Sequence, residues 1–490
     1  METVTAENTA TEAQALSILD NVVQVARIDK AQISELLTVL VEESLKGTVV
    51  WDKNFTNTIN KAVELINDLV SNQISEILHN PNLQKLEGSW RGLLYLVKNT
   101  LCGSDLKIKL LDVDKETLFK NFDKAIEFDQ SDLFKKVYEE EYGSAGGAPY
   151  GVLVGDYDFT NHPQDIKLLQ YIAEVSAASF APFISQAAPV FMGLNSWEEL
   201  AKPSNLSSIF ASAEYANWNS FRKSEESRFV CLTLPRTLAR LPYGKNTVPV
   251  EGFNYEEVDL NEKGQAKKNP HEHFCWMNSA YVHATMLTRA FAEYGWCTSI
   301  RGVENGGKVD GLNVHVFLSD DGDIDMECPT EVGITDRREA ELSALGFLPL
   351  CHYKNEAYAV FFGAQTTNMP KQYDDPDATA NAEIAARLPY ILATSRVAHY
   401  LKVIARDKIG SFMELSDVEK WLNDWILNYI NSNPDSGQQL KSRFPFAAAK
   451  IAVEEIPGRP GSYNAIAWLR PWLQLEELTT SLRLVARIPE

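Results

Sequence analysis

Hydrophobic and polar positions along this chain repeat with two periods, and the switches between them mark where elements begin and end. Within residues 15–28, Leu16, Leu19, Val23 and Ala26 recur at helical spacing behind a polar leader. The pattern predicts an amphipathic helix too short to hold alone, which either packs on its own domain or serves a partner as a recognition segment. A second helix is expected over 31–46, ended by Gly47 as a C-cap, and then a short strand at Thr48, Val49, Val50 and Trp51. A long helical pattern runs over 55–78, breaks at Pro81, and resumes over 86–101 with Trp90 and Tyr95. This first stretch reads as an arm followed by helices.

From Leu106 the texture becomes strand–helix alternation. Strands are expected at 106–113, 150–155, 228–234, 299–303, 314–319 and 358–362, with helices over 166–179 and 278–294. The glycine-rich run 143–147, Pro235, Pro242, Pro249 and residues 261–270 mark loops, and no fixed-period repeat is visible. Mixed α/β is the fold class. Residues 378–409 return to helix, interrupted near Pro389, a residue suited to a first helical turn. Ser416 and Glu419 have the spacing of a capping box, ahead of Trp421, Trp425 and Tyr429 and of Leu422, Ile426 and Ile430 at four-residue intervals.

The C-terminal segment changes period again. Strands are expected at 449–456 and 463–469, joined by the turn 457–461. Then Leu482, Leu484, Ala486 and Ile488 alternate with Arg483, Val485 and Arg487, so 482–488 reads as a half-buried strand close to the end of the sequence. Such a strand has no following hairpin to cover it. An uncovered edge is a template for pairing, which makes assembly with another chain the expectation.

Composition narrows the classes. The 490 residues are 45% hydrophobic and 23% charged, enough to bury more than one core. A formal charge of −21 argues against nucleic acid and against an anionic membrane surface as partners. The first residues carry no basic and apolar leader, and no apolar run approaches the ~20 residues of a membrane span. The six cysteines are scattered, without a CxxC pair, which is the usage of a reducing compartment such as the cytoplasm.

Residues that invite a chemical reading are few. Gly302 through Lys308 spell GxxxxGK, but Val309 stands where a P-loop needs Ser or Thr, and the following residues read as a turn and strand rather than a helix. His271, His273 and Cys275, with His283 beyond, cluster possible metal ligands without a clear fourth. The acidic groups at 320–323 and 374–377 do not fit a calcium loop and read as solvated turns. Residues 335–342 look like a helix start rich in ion pairs. On the helix after Pro389, His399, Lys402 and Arg406 fall on one arc, a basic stripe for an acidic partner or for internal salt bridges. No catalytic residue, metal site or cofactor is expected.

Strings in these segments carry a resemblance over nearly the whole chain. They are Leu86-Glu87-Gly88-Ser89-Trp90-Arg91-Gly92-Leu93, Gly155-Asp156-Tyr157-Asp158-Phe159, Leu234-Pro235-Arg236 with Arg240-Leu241-Pro242-Tyr243-Gly244, and Tyr294-Gly295-Trp296-Cys297 with Ile300-Arg301-Gly302. Pro329-Thr330-Glu331 with Thr335-Asp336-Arg337-Arg338-Glu339, Leu345-Gly346-Phe347-Leu348-Pro349-Leu350, Arg406 through Met413, and Ser481 through Val485 continue the series. In this order they resemble the large subunit of the bacterial type VI secretion contractile sheath, the TssC, VipB or EvpB family.

The resemblance implies a cytoplasmic structural protein, not an enzyme. It implies a small sheath subunit (TssB/VipA-like) as partner, helical stacking with copies of itself around an Hcp-type tube, and a baseplate at one end. It further implies an N-terminal arm at 1–54, a mixed α/β middle domain at 55–377 and an inner domain with exchanged strands at 378–490. The exchanged strands would include Val49, Val50, Trp51, Ile451, Val453, Ala465, Ala467, Leu482, Leu484, Ala486 and Ile488. A ClpV-type AAA+ unfoldase would read Leu16, Ile18, Leu19, Val22, Val23, Ala26 and Arg27, and His399, Lys402 and Arg406 would face the tube. The competing readings are a sheath protein of another contractile tail-like particle and, further off, a cytoplasmic enzyme using metal or nucleotide.

Overall fold

The structure, a computed structural model, describes residues 38, 55–202, 204–258, 271–318, 321–354, 356–408, 414–457 and 463–474. The expected helices at 15–28 and, Thr38 apart, 31–46, and the strands at 48–51 and 482–488, lie outside the described residues. The chain divides into two compact units, one formed by residues up to Asn80 with Tyr243–Asp259, the other by the remainder.

In the first unit, helix α1 (Phe55–Leu78) has the span its apolar period predicts. Residues 243–258 stand with it: Ser75 Oγ lies 3.0 Å from Tyr255 Oη, and His79 Nε2 lies 3.8 Å from the buried Glu257. Glu257 also accepts from the Tyr243 amide at 2.8 Å.

The second unit is built on a four-stranded parallel sheet in the order β1 (Leu153–Phe159), β2 (Phe183–Ala187), β3 (Val230–Leu234), β4 (Leu348–Pro349). Every residue of β2 and β3 is buried, as befits parallel strands covered on both faces. Alternation sorts their side chains into two cores. Phe183, Val230, Leu232 and Leu234 meet Ile166, Leu169 and Ile172 of helix α3 (Pro163–Ser179). Ile184 and Cys231 meet Ala280, Val282 and Met286 of helix α4 (Ser279–Tyr294). Helix α2 (Pro81–Lys98) lies close on α4, because Gly88 and Gly92 bring its backbone against the Trp276 carbonyl and the Tyr281 ring. α4 opens on Asn278, whose side chain accepts from the Ala280 amide, and ends on Gly295 at φ +76°.

A third core joins helix α5 (Leu388–Asp407), helix α6 (Leu415–Ile426) and the antiparallel hairpin β5 (Phe446–Glu455) and β6 (Tyr463–Pro471). Ala393, Val397, Leu422, Ile426, Phe446, Ile451 and Val453 fill it, with Trp296 from the loop after α4. Pro389 sits in the first turn of α5, and the preceding helix Pro376–Ala385 stops short of it.

Three local expectations change. Residues 106–113 are extended but belong to no ladder. The expected strand at 299–303 contributes a single bridge, Arg301 to Gly306. The capping box does not form, because α6 begins at Leu415 with Glu414 as its N-cap residue and no side-chain cap. Ser416 is already inside the helix, and Glu419 is used elsewhere.

Candidate assembly interface

The hairpin β5–β6 is where the described residues present backbone for pairing. Its register runs from Phe446 opposite Pro471 to Glu455 opposite Tyr463, with Ile451 facing Ala467 and Val453 facing Ala465. These four residues are among those expected to take part in strand exchange. Ile451 and Val453 point into the third core, and Ala467 and Leu469 pack against its margin. The opposite face carries Lys450, Ala452, Ile466 and Trp468, with Trp468 54% exposed. A half-exposed tryptophan on a two-stranded sheet is an unusual expense of apolar surface for an isolated subunit.

The two edges of this hairpin differ. On β5, Ile451 N donates to Asn423 Oδ1 at 2.9 Å and Ile451 O accepts from Asn423 Nδ2 at 2.6 Å, so one side-chain amide answers both backbone groups. One turn earlier on α6, Glu419 Oε2 accepts from Val453 N at 3.2 Å. At the start of β5, Phe446 O accepts from Asn431 N at 3.0 Å and Ala447 O from Ser432 Oγ at 3.4 Å. Because Ile451 turns its N–H and C=O to α6, it and Ala467 form a pair that does not hydrogen-bond across the ladder. The backbone groups of Ala465, Ala467 and Leu469 therefore face away from β5, and among the described residues no strand pairs with them. Sequence reasoning marked the strands but missed Asn423 and Glu419. Their only signal was a four-residue spacing of an acceptor and an amide on one helix face.

The basic stripe on α5 is engaged inside the chain. His399 Nε2 donates to the Ser179 carbonyl at 2.9 Å, and its ring packs on Tyr142. Burial, with the nearby Arg396 charge, holds His399 below its ordinary value, so it is neutral at pH 7. Lys402 Nζ sits 5.4 Å from the Tyr142 ring centre. Arg406 donates to the Tyr142 carbonyl at 2.9 Å and to the Ser144 carbonyl. The three residues thus hold the end of the π-helical segment Lys135–Tyr142.

The residues that suggested chemistry have structural partners. Glu331 is fully buried and takes a bidentate pair from Arg236, Nη2 to Oε1 at 2.6 Å and Nε to Oε2 at 2.8 Å, with His271 Nε2 3.0 Å away. Burial alone would raise this carboxyl, but the Arg236 charge and His271 reverse that and hold it below the usual range. Glu87 is treated alike by Arg240 and Arg91 at 2.7 and 2.6 Å. His283 is buried edge-on against Phe361 and pushed down to about 3 by desolvation. Among the described residues no three His, Cys, Asp or Glu side chains converge as a metal site. All six cysteines are free thiols.

The GxxxxGK stretch is a turn. Gly302 N donates to Phe361 O and Gly307 N to Gly302 O, both at 2.8 Å, and Lys308–Val309 pairs with Ala359–Val360. Its amides are spent within the chain, and no helix follows to face a phosphate. No helix of the described residues is long and apolar enough to cross a membrane.

Comparison with known proteins agrees with this structural character. The family described as EvpB/VC_A0108, tail sheath N-terminal domain, matches residues 60–368, and EvpB/VC_A0108, tail sheath gpW/gp25-like domain, matches residues 377–488. The chain is 51% identical over 453 residues to the type VI secretion system sheath protein TssC1 of Pseudomonas aeruginosa, covering 92% of this chain and 90% of that protein. Among solved structures, a chain of the anti-feeding prophage baseplate is similar at TM-score 0.35 and 11% identity, over 81% of this chain and 87% of that one. A chain of the contracted anti-feeding prophage sheath is similar at TM-score 0.29 and 10% identity, over 64% and 66%. The two family matches and the TssC1 identity establish that this chain belongs to the EvpB/VipB family of large sheath subunits of type VI secretion, structural proteins of a contractile sheath and not enzymes.

Proposed function

We propose that the chain pairs with a small sheath subunit, TssB/VipA-like, and that the pairs stack helically in the bacterial cytoplasm around an Hcp-type tube seated on a baseplate. Contraction, a change between two packings of the same subunits, drives the tube and its spike outward. In this reading residues 1–54 are an arm, 55–377 the middle domain and 378–490 the inner domain. Neighbours are laced by strands that include Val49–Trp51 and 482–488. A ClpV-type unfoldase recycles the contracted sheath through the segment around Leu19 and Val23. On α5, His399 is committed to Ser179, so facing the tube falls to Lys402 and Arg406.

The observation that carries the reading is the open β6 edge. A long antiparallel hairpin beside a helical core, with outward amides at Ala465, Ala467 and Leu469 and an exposed Trp468, supports strand addition from another chain. The test is electron microscopy of the chain co-expressed with the small-subunit candidate encoded beside it. Hollow tubules that need both chains, and that vanish when residues 482–490 are deleted while the chain stays folded, are the expected result. Discrete particles that never polymerise would overturn the assembly. Normal tubules from the truncated chain would remove 482–488 from the lacing.

A further inference from the structure

We propose that α6 seals the β5 edge of the hairpin, so that an incoming strand is accepted only along β6; the proposal rests on the strand exchange argued above. The outward backbone of β5 is met along its length by groups of its own chain: Asn431 N at Phe446, Ser432 Oγ at Ala447, the Asn423 amide at Ile451 and the Glu419 carboxylate at Val453. Asn423 stands in for one residue of a neighbouring strand, donating to the carbonyl and accepting from the amide of the same residue. Its own position is fixed by a second bond, Nδ2 to the Glu419 carbonyl at 2.8 Å. An incoming strand at this edge would have to displace these groups and leave the Asn423 amide and Glu419 carboxylate without partners.

The β6 edge has the opposite character. Ala465 and Ala467 are small, and they flank the core side on which Ile451 and Val453 are buried. A strand laid against β6 can therefore place a larger aliphatic side chain at every second position over the margin of that core, beside Leu469. On the other face it would cover Ile466 and Trp468, which stand 38% and 54% exposed. The occupant that fits is one extended strand of another sheath chain, apolar at alternate positions.

Hydrogen exchange on the full-length chain, free and in tubules with the small subunit, tests this. In the free chain, Asn423→Ala should speed exchange of the Ile451 amide about tenfold, whereas Glu419→Gln, which keeps an acceptor for Val453 N, should leave Val453 unchanged. In tubules, amides within 463–469 should gain protection and those within 449–455 should not. Asn423→Ala with Glu419→Ala, opening both edges, should give irregular aggregates beside tubules. Protection gained across 449–455 on assembly would overturn the proposal, as would a double variant that assembles as uniformly as the parent. If the unaltered chains form no tubules, the assembly reading fails instead, and the Ile451 exchange rate in the free chain still decides whether the seal exists.

Discussion

At the scale of single residues, the strings that carry the family resemblance are stitched to one another. Glu87, from the first string, pairs with Arg240, and Arg236 pairs with Glu331 from a string almost a hundred positions later. Charged residues that look like surface chemistry in a linear reading are the polar clamps between elements. Removing one partner leaves the other stranded. Arg236→Met should lower stability by about 3 kcal/mol, because Glu331 remains buried without its guanidinium, and Arg236→Met with Glu331→Met should recover most of that loss in urea denaturation. The pH dependence follows from the depressed Glu331 value. Its contribution is fully present above the unfolded carboxylate range, about 4.3, and is lost as pH falls through the lower folded value. Acid unfolding of the parent should therefore be steeper below about pH 4 than that of the double variant. The same string contains Gly88, where a methyl group would overlap the Trp276 carbonyl. Neither partner can be read from spacing, since nothing local says which carboxylate will be buried.

At the scale of elements, helices were legible and short buried strands were not. α1 and α4 declare themselves by apolar spacing, by Gly295 at a C-terminus and by Asn278 as a cap. β2 hides because it is buried on both faces and carries Ser185 and Gln186, so neither alternation nor an apolar run announces it. β4, two residues long, offers no period at all. Residues 106–113 show the converse, a strand-like sequence whose only recorded tie to β1 is the Tyr157 hydroxyl donating to Val113 O. The hairpin was read correctly as two strands, yet its asymmetry was invisible, because Asn423 and Glu419 act across the fold. The helix caps give a direct comparison. Asn278→Ala should cost about 1–2 kcal/mol, since its side chain holds the Ala280 amide at 2.8 Å. Ser416→Ala should change stability by less than about 0.5 kcal/mol, because the box it belongs to in sequence is absent in the folded chain. Chemical denaturation of the two variants side by side checks both.

At the scale of the whole molecule, a chain of net charge −21 is asked to pack against many copies of itself. Like-charge repulsion between copies is long-ranged at low salt and shrinks as the Debye length falls from about 30 Å at 0.01 M to about 10 Å at 0.1 M. Tubule formation should accelerate several-fold over that range, followed by light scattering; a rate that falls with salt would point to attraction between oppositely charged faces as the driving step instead. The sealed β5 edge bears on what such crowding does. A sheet fragment with two available sides is a bifunctional monomer, and bifunctional monomers polymerise into ribbons without limit. Closing one side reduces the valence to one, so any accidental side-by-side pairing of hairpins stops at two. Asn423 and Glu419 then act as a chain terminator carried by every subunit, keeping a concentrated pool from forming fibrils before a sheath is begun.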